Sequence, residues 1–406
     1  MKTTAHLDRQ SLLLLAVDGL IVLAAALSGT FLNVYLWKSK QDYTMIGWFT
    51  VAQQIAVGLT FWVGGKWVKE YNKMNALRVG IVLSGVFYLL VLWVGSDIIH
   101  WIWPLGLLLG ISTGLFWLSF NVVYFEVTNR ENRDLFNGWV GLLGSITGII
   151  GPWFSGLLIT WLKGDRGYRL IFTISMVIYA LCVVLSFFLK KRKNGSNYHW
   201  MEPITQLRSK GSPWRLMAPA LVAQGVREGV FAFLIGLLVY VATKQEAKLG
   251  QFTLITSAIS LLTYWLAGKW YKPQYRSPGM LVGALLLWIV ILPLLWKTSY
   301  GTLLILGIGS SIFMPLYLLP MISSGFDLMG TSNETVEKRV ELVVLRELSL
   351  MVGRLLGTFI FIAVLMISKA PMTITVLMLI LGSSPIVGWI FVRKLLKAEK
   401  SAITNK

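Results

Sequence analysis

One cysteine, three histidines and only 18 acidic residues stand in a chain of 406. The lone Cys182 can build no disulfide framework, and His6, His100 and His199 are too scattered to gather a metal ligand set. The sequence holds no GxxxxGK[ST] loop to cradle ATP phosphates, no GxSxG elbow and no HExxH helix. Charged residues of both signs together make up 14% of the chain, against about 25% in a soluble domain. These absences exclude a disulfide-stapled domain, an ATP-driven machine and the common hydrolases, and no cofactor or metal is expected.

What is present is apolar. Hydrophobic residues make up 56% of the chain, with 18 Trp, more than a soluble domain can hide from water. Apolar runs occur at approximately 11–37, 44–64, 77–95, 99–126, 136–162, 168–189, 215–242, 249–268, 278–296, 301–325, 342–368 and 372–392. A helix of roughly 20 apolar residues spans a hydrocarbon core of about 30 Å, so these twelve runs predict an all-α polytopic membrane protein. The runs are continuous and too long for tilted strands, which excludes a β-barrel. The first run carries Asp18 and ends in "NVYLWKSK" with no small-residue cleavage site, so it is expected to stay as a span.

The formal charge of +19 lies mostly on one side of these runs. With the amino terminus inside, most of the Lys and Arg fall in inside segments, including "KKRK" at 190–193 and the tail "RKLLKAEK". That asymmetry sets topology and attracts anionic lipid, so membrane lipid and not nucleic acid is the expected partner. Both termini are expected in the cytoplasm. Between runs six and seven lies the longest polar stretch, which divides the chain into an amino-terminal six-helix bundle (1–189), a cytoplasmic linker (190–213) and a carboxyl-terminal six-helix bundle (214–406). Six spans return the chain to its starting side, so the two halves insert in the same orientation, as a parallel repeat.

The repeat is written in the residues. "LTFWVGGKWVK" at 59–69 returns as "LTYWLAGKWYK" at 262–272, an offset of 203 positions. Each copy closes the second span of its half, where Gly65 or Gly268 allows a close neighbour, Trp67 or Trp270 sits at headgroup depth, and the lysines stay in water. A second echo matches Phe125-Glu126 with Phe326-Asp327, each followed by a polar turn and then Arg133 or Arg339 opening the next helix. An acid at a helix carboxyl end needs a nearby cation, and the downstream arginines are the expected partners.

With these features the chain resembles the major facilitator superfamily, whose members carry twelve helices in two six-helix bundles related by a pseudo-twofold axis. The family's loop signature after its second helix is roughly G-x-x-x-D-R-x-G-R-R. Laid from Gly65 it meets "GKWVKEYNKM", and laid from Gly268 it meets "GKWYKPQYRS". The glycine and the basic ninth position, Lys73 or Arg276, survive, while the acid at the fifth position is Lys69 or Lys272. The resemblance implies a gate latched by that acid, and Glu70 stands one residue from the vacant place. Gating is therefore assigned to these residues together with Glu126, Arg133, Asp327 and Arg339. The fifth run, "GSITGIIGPWFSG" at 144–156, is similar to a glycine-rich pattern of antiporters, which implies export.

Ionisable groups inside apolar runs carry the chemistry, because each costs about 2.5–3.5 kcal/mol at mid-membrane. Arg354 and the pair Arg227-Glu228 lie near the midplane of their runs. Glu347 precedes Arg354 by almost two helical turns and shares its face. Arg227 and Arg354 suit a carboxylate or phosphate. The other reading is an internal network, Glu228 with Arg354 or Glu347 with Arg227, that holds helices together or breaks and reforms during transport. Asp18, Glu228 and Glu347 are the proton-coupling candidates. Asn33, Trp117, Asn121 and Gln224 complete the expected substrate-binding set.

The function expected from these residues is secondary active transport of a small organic, anionic or amphiphilic solute by alternating access, coupled to protons, in a bacterial cytoplasmic membrane. Uptake or exchange of an organic anion is the alternative, and a non-transporting sensor or scaffold is the rival of another class. No enzyme is expected, since no outside loop gathers acids or histidines. The protein is expected to work as a monomer.

Overall fold

The structure is a computed structural model that describes residues 7–128, 132–162, 165–190, 197–270, 273–330 and 333–404. Lys272 lies outside the described residues, as do the side chains of Arg133 and Trp270. Among the described residues the chain is helical, without strands. Helix α1 (Arg9–Lys40) starts at Asp8, whose carboxylate accepts the Ser11 amide, and stops at Gln41 in the left-handed region, φ 54°. Helix α2 (Tyr43–Lys66) runs into a π turn, Trp67–Asn72. There the extended backbone of Asn72 (φ −146°, ψ 93°) ends the path, and its side chain caps the amides of Met74 and Asn75 to start α3 (Lys73–Val94). After a 3-10 turn come α4 (Ile102–Val127), α5 (Arg133–Leu162) and α6 (Asp165–Ser186).

The linker contributes a short helix, α7 (Glu202–Arg208). The second half then repeats the order with α8 (Trp214–Thr243), α9 (Glu246–Trp270), α10 (Arg276–Ile289), α11 (Tyr300–Leu328), the short α12 (Asn333–Glu337) and α13 (Arg339–Ile367). Helices α14 (Pro371–Gly382) and α15 (Ser384–Thr404) follow in series.

Eleven segments among the described residues are long and apolar enough to cross a membrane, one fewer than the runs counted in the sequence. The difference lies in a single 52-residue segment, Tyr43–Val94. It holds both α2 and α3, of 24 and 22 residues, each of spanning length at about 1.5 Å per residue. The π turn joins α2 to α3 with no intervening loop residue, so the two count as one segment although the turn itself, WVKEYN, is polar. Large apolar side chains such as Trp161, Val184, Phe187 and Ile367 point outward, which suits lipid and not water.

The chain forms two compact units. Unit 1 comprises residues 1–41, 55–198 and 245–254, and unit 2 comprises 42–54, 199–244 and 255–406. Helix α2 therefore begins in unit 2, and α9 begins in unit 1. In unit 1, α1 packs on α5 and α6 while α3 packs on α4 and α6. An aromatic cluster of Tyr35, Tyr88, Phe172 and Tyr179 fills the space between them. The glycine-rich stretch of α5 packs helices: a methyl group on Gly151 would sit 2.9 Å from Ala26, and one on Gly156 would sit 2.7 Å from the carbonyl of Glu246.

Unit 2 is organised by the crossing of α8 and α13. Gly225 and Gly229 on α8 face Gly353 and Gly357 on α13, each pair spaced by four residues. A Cβ on Gly353 would lie 2.0 Å from the Val222 carbonyl oxygen, and one on Gly225 would lie 2.3 Å from that of Leu350. Only hydrogen fits, so the two backbones touch, as in GxxxG contacts between membrane helices. The glycines of the doubled phrase differ in this respect. A Cβ on Gly65 would meet the Tyr198 ring at 2.7 Å, whereas none of the described residues lies within 4 Å of one on Gly268. The expectation that both glycines admit a close neighbour is thus corrected at Gly268.

These distances separate two substitutions. Gly353→Val is expected to abolish the α8–α13 contact and to yield aggregated or strongly destabilised protein in size-exclusion chromatography. Gly268→Ala is expected to leave the melting temperature unchanged or slightly raised, since Ala favours a helix by about 1 kcal/mol over Gly. Equal behaviour of the two would contradict the crossing.

Candidate functional site

The glycine crossing brings the neighbours of those glycines together. Arg354 follows Gly353 and Glu228 precedes Gly229, so the close backbones set a guanidinium beside a carboxylate. The Arg354 Nη2 and Nε donate to Glu228 Oε2 at 3.1 and 3.3 Å, and Nη1 donates to Glu347 Oε1 at 2.8 Å. Gln224, one turn before Glu228, donates its Nε2 to Glu228 Oε1 at 2.6 Å. All three charged side chains are mostly buried, at 21%, 22% and 16% exposure for Arg354, Glu228 and Glu347. Charge-assisted bonds of this length are the strong ones, and breaking such a buried group on one side alone costs about 3–5 kcal/mol.

Arg227 points elsewhere. As the residue before Glu228 it is turned about 100° around α8, and it lies over the Phe231 ring at 4.4 Å from guanidinium carbon to centroid. Its Nη2 reaches Ser310 Oγ at 3.4 Å and its Nη1 reaches Met314 Sδ at 3.8 Å. The side chain is 5% exposed and its Nε has no hydrogen-bond partner. Among the described ion pairs none includes Arg227. A buried guanidinium so weakly engaged is unfavourable by an amount on the order of several kcal/mol.

Arg227 lines a cavity of about 310 Å³ inside unit 2, between α8, α9 and α11. Phe231, Ala232, Ile235 and Met314 give apolar walls, and the hydroxyls of Ser260, Tyr264, Ser310 and Ser311 add polar points. Tyr264 belongs to the doubled phrase, where its counterpart is the buried Phe61. The second copy of that phrase therefore supplies a cavity wall besides anchoring a span. Arg354 is not among the lining residues. The two arginines expected to act together are divided: one is matched by two carboxylates and the other faces the cavity.

The remaining expected residues lie in unit 1. Asp18 on α1 is 1% exposed, with Oδ1 lacking a hydrogen-bond partner and Cys182 close enough to interact with it electrostatically. Asn121 donates to the Trp117 carbonyl of its own helix at 2.7 Å, and Trp117 makes an edge contact with Phe120. Asn33 is partly buried on α1. Glu228, Glu347, Arg354 and Gln224 form one hydrogen-bonded network in unit 2 with Arg227 on another face of α8, while Asn33, Trp117 and Asn121 belong to unit 1.

The gating residues form a second set. Lys73 pairs with Glu126, and Arg276 pairs with Asp327 at 3.5 Å. Each of these acids thus joins the basic ninth position of a loop signature; Asp327 does so in place of the expected Arg339, while the Arg133 side chain expected at Glu126 lies outside the described residues. The reason is packing: α3 lies along α4, and α10 along α11, so a base at the start of one helix meets the acid at the end of its neighbour. Lys69 is buried, at 4% exposure, against the expectation that it stays in water. Glu70 accepts the Tyr198 amide at 2.8 Å, while the Tyr198 hydroxyl donates to the Trp62 carbonyl at 3.1 Å. Gly65 is the glycine that makes room for that ring. The next linker residue, His199, gives its amide to Glu341 of α13 at 3.0 Å. The sequence carried no local signal for Tyr198, since an exposed-looking linker aromatic has no periodicity to place it.

Short polar joints hold other helix ends within each unit. In unit 1, Glu246 receives Lys38 at 3.1 Å and the Tyr168 hydroxyl at 3.0 Å. In unit 2, Asp42 receives Lys369 at 3.1 Å and the Thr44 amide at 3.1 Å. Burial pushes the Asp42 pKa up, but the hydrogen bonds from Thr44 and Lys369 and the charge of Lys369 outweigh it and hold the carboxyl below its ordinary value. A depressed carboxylate contributes stability above its unfolded pKa, about 3.9 for Asp, and loses it as pH falls through the folded value. The melting-temperature difference between the wild type and Asp42→Asn should therefore be present at pH 6 and shrink below about pH 4. A difference that grows on acidification would contradict the assignment.

Comparisons with known proteins agree with this architecture. A family model described as Major Facilitator Superfamily matches residues 15–333. The Bacillus subtilis (strain 168) protein YqgE, itself uncharacterized, is 35% identical over 389 residues, covering 96% of this chain and 90% of its own. An uncharacterized Geobacillus stearothermophilus protein from the sodM 3′ region is 38% identical over 191 residues, 47% of this chain and 89% of its own. Among solved structures, a bacterial homologue of the iron transporter ferroportin in an outward-facing state superposes with a TM-score of 0.68 at 14% identity, covering 97% of this chain and 100% of that one. The nucleoside transporter NupG superposes with a TM-score of 0.70 at 12% identity, covering 97% and 99%. At such identities the similarity is one of fold.

Proposed function

The chain belongs to the major facilitator superfamily and is a multi-pass membrane protein with the fold of secondary transporters, and from that premise we propose that it moves a small anionic or amphiphilic organic solute by alternating access, coupled to protons. The observation that carries this reading is the Glu228–Arg354–Glu347 network beside a cavity lined by Arg227. Where one guanidinium is matched by two carboxylates, one carboxylate can take up a proton without the network breaking apart, because the remaining carboxylate still holds Arg354. Proton arrival and release then change how Glu228 is held, and Glu228 also borders the solute cavity. Asp18 is the proton-carrying candidate of unit 1. Asn33, Trp117, Asn121 and Gln224 are retained as further substrate-binding positions.

Gating falls to the joints that pin helix ends. Lys73 with Glu126, Arg276 with Asp327, and the linker amides held by Glu70 and Glu341 are pairs that a transport cycle can break and remake. Glu70 takes over, one residue along, the place left by Lys69 in the family signature. The membrane is a bacterial cytoplasmic one, with both termini inside, a reading supported by the distribution of Lys and Arg. Export is the direction favoured by the glycine-rich pattern of α5, and the protein acts as a monomer.

Reconstitution tests this. In proteoliposomes containing pyranine, organic anions should drive proton movement, and an imposed pH gradient should drive their accumulation. Glu228→Gln is expected to remove gradient-driven accumulation while leaving solute exchange. Gradient-driven accumulation that persists in Glu228→Gln, Glu347→Gln and Asp18→Asn would sink the coupling assignment.

A further inference from the structure

We infer that the Arg227 cavity is the binding subsite for a monoanion with a compact apolar body, a monocarboxylate, and that Arg354 is not a ligand contact. This rests on the transport reading above and names its substrate class. The first ground is charge. Arg354 is committed to Glu228 and Glu347 through three hydrogen bonds, and Glu228 has its second oxygen held by Gln224. Arg227 lies over the Phe231 ring, and its hydrogen bonds among the described residues are a 3.4 Å contact to Ser310 Oγ and a 3.8 Å contact to Met314 Sδ, with Nε unpartnered at 5% exposure. One guanidinium with donors to spare offers a place for one negative charge. A second charge on the ligand would find Glu228, which lines the same cavity, and be repelled by it.

The second ground is shape and lining. A cavity of about 310 Å³ has room for roughly ten water-sized groups at about 30 Å³ each, which fits a solute of six to ten or so non-hydrogen atoms and stands at the small end of ligand sites. Its walls are Phe231, Ala232, Ile235 and Met314, apolar side chains that receive a hydrocarbon or aromatic body. The Ser310 hydroxyl is already beside Arg227, and Ser260 and Ser311 line the same space. A carboxylate at Arg227 would accept a bidentate pair from the guanidinium and a further bond from a serine. Phosphate esters and dicarboxylates lack a second cation here, and cations meet Arg227.

The test is binding to the purified full chain in lipid nanodiscs by isothermal titration, with benzoate and hexanoate as monocarboxylates, benzamide as the neutral counterpart of benzoate, phthalate as the dianion and benzylammonium as the cation. Benzoate or hexanoate should bind at least about 10-fold more tightly than benzamide, phthalate or benzylammonium, the weight of one charge-assisted pair. Arg227→Gln should lose about 10- to 100-fold in that affinity, and Ser310→Ala a few-fold. Arg227→Lys, which keeps the charge but not the fork, should fall between the wild type and Arg227→Gln, and it serves if Arg227→Gln does not fold. Unchanged monocarboxylate binding in the Arg227 variants, or no monocarboxylate binding at all, overturns the inference. Flux of benzamide or benzylammonium in proteoliposomes with no benzoate or hexanoate binding would leave the transport reading standing and reject the substrate class. Absence of any solute flux together with intact Arg227-dependent benzoate binding would reject the transport reading and keep the subsite.

Discussion

Backbone contact between α8 and α13 is the constraint on which the rest of unit 2 depends. Gly225 and Gly229 against Gly353 and Gly357 allow the two helices to approach until carbonyl oxygens sit where side chains would otherwise be. Lipid offers no hydrophobic force to press helices together, so close packing and polar bonds must do it. Here the two act in the same place: the glycines remove the spacing, and Arg354, Glu228 and Glu347 then bond across the seam. The same geometry fixes Arg227 on a different side of α8, where no described carboxylate forms an ion pair with it. A buried matched arginine and a buried unmatched one on adjoining faces follow from one crossing.

Much of this was legible in the sequence, for reasons of energy. Ionisable residues inside apolar runs are too unfavourable to be incidental, which singled out Arg227, Glu228, Glu347 and Arg354 before any geometry. The seven-residue spacing put Glu347 on the face of Arg354, but the pairing between helices was not legible: Glu228 with Arg354 and Glu347 with Arg227 were both open, and the choice depends on helix rotation and distance at the crossing. The four-residue glycine spacing in "GVREG" and "GRLLG" was the signal that could have decided it. The span count was readable from length and hydropathy, except that the π turn at Trp67–Asn72 leaves α2 and α3 as one continuous segment. The partner of Asp327 was misread because nearness in sequence was taken for nearness in space, while antiparallel packing brings Arg276 there, as it brings Lys73 to Glu126 in the first half.

The duplicated phrase shows how a repeat diverges into function. Both copies end a second span, yet Gly65 accommodates the linker's Tyr198 while none of the described residues closes on Gly268. Phe61 is core, and its counterpart Tyr264 adds a hydroxyl to the Arg227 cavity. The salt bridges Lys73–Glu126 and Arg276–Asp327, in contrast, keep the same positions in both halves. Architecture is repeated where helices must be held, and chemistry appears where the second half departs from the first.

The crossing holds Glu228 on Arg354 as a coupled pair. A double-mutant cycle of Glu228→Gln and Arg354→Gln, read as unfolding free energy of the reconstituted protein, measures it most directly. The account predicts a coupling energy between the two sites of about 1–3 kcal/mol, with the double variant less destabilised than the sum of the singles. Additivity within about 0.5 kcal/mol would mean that the two side chains do not depend on one another, and would contradict the account.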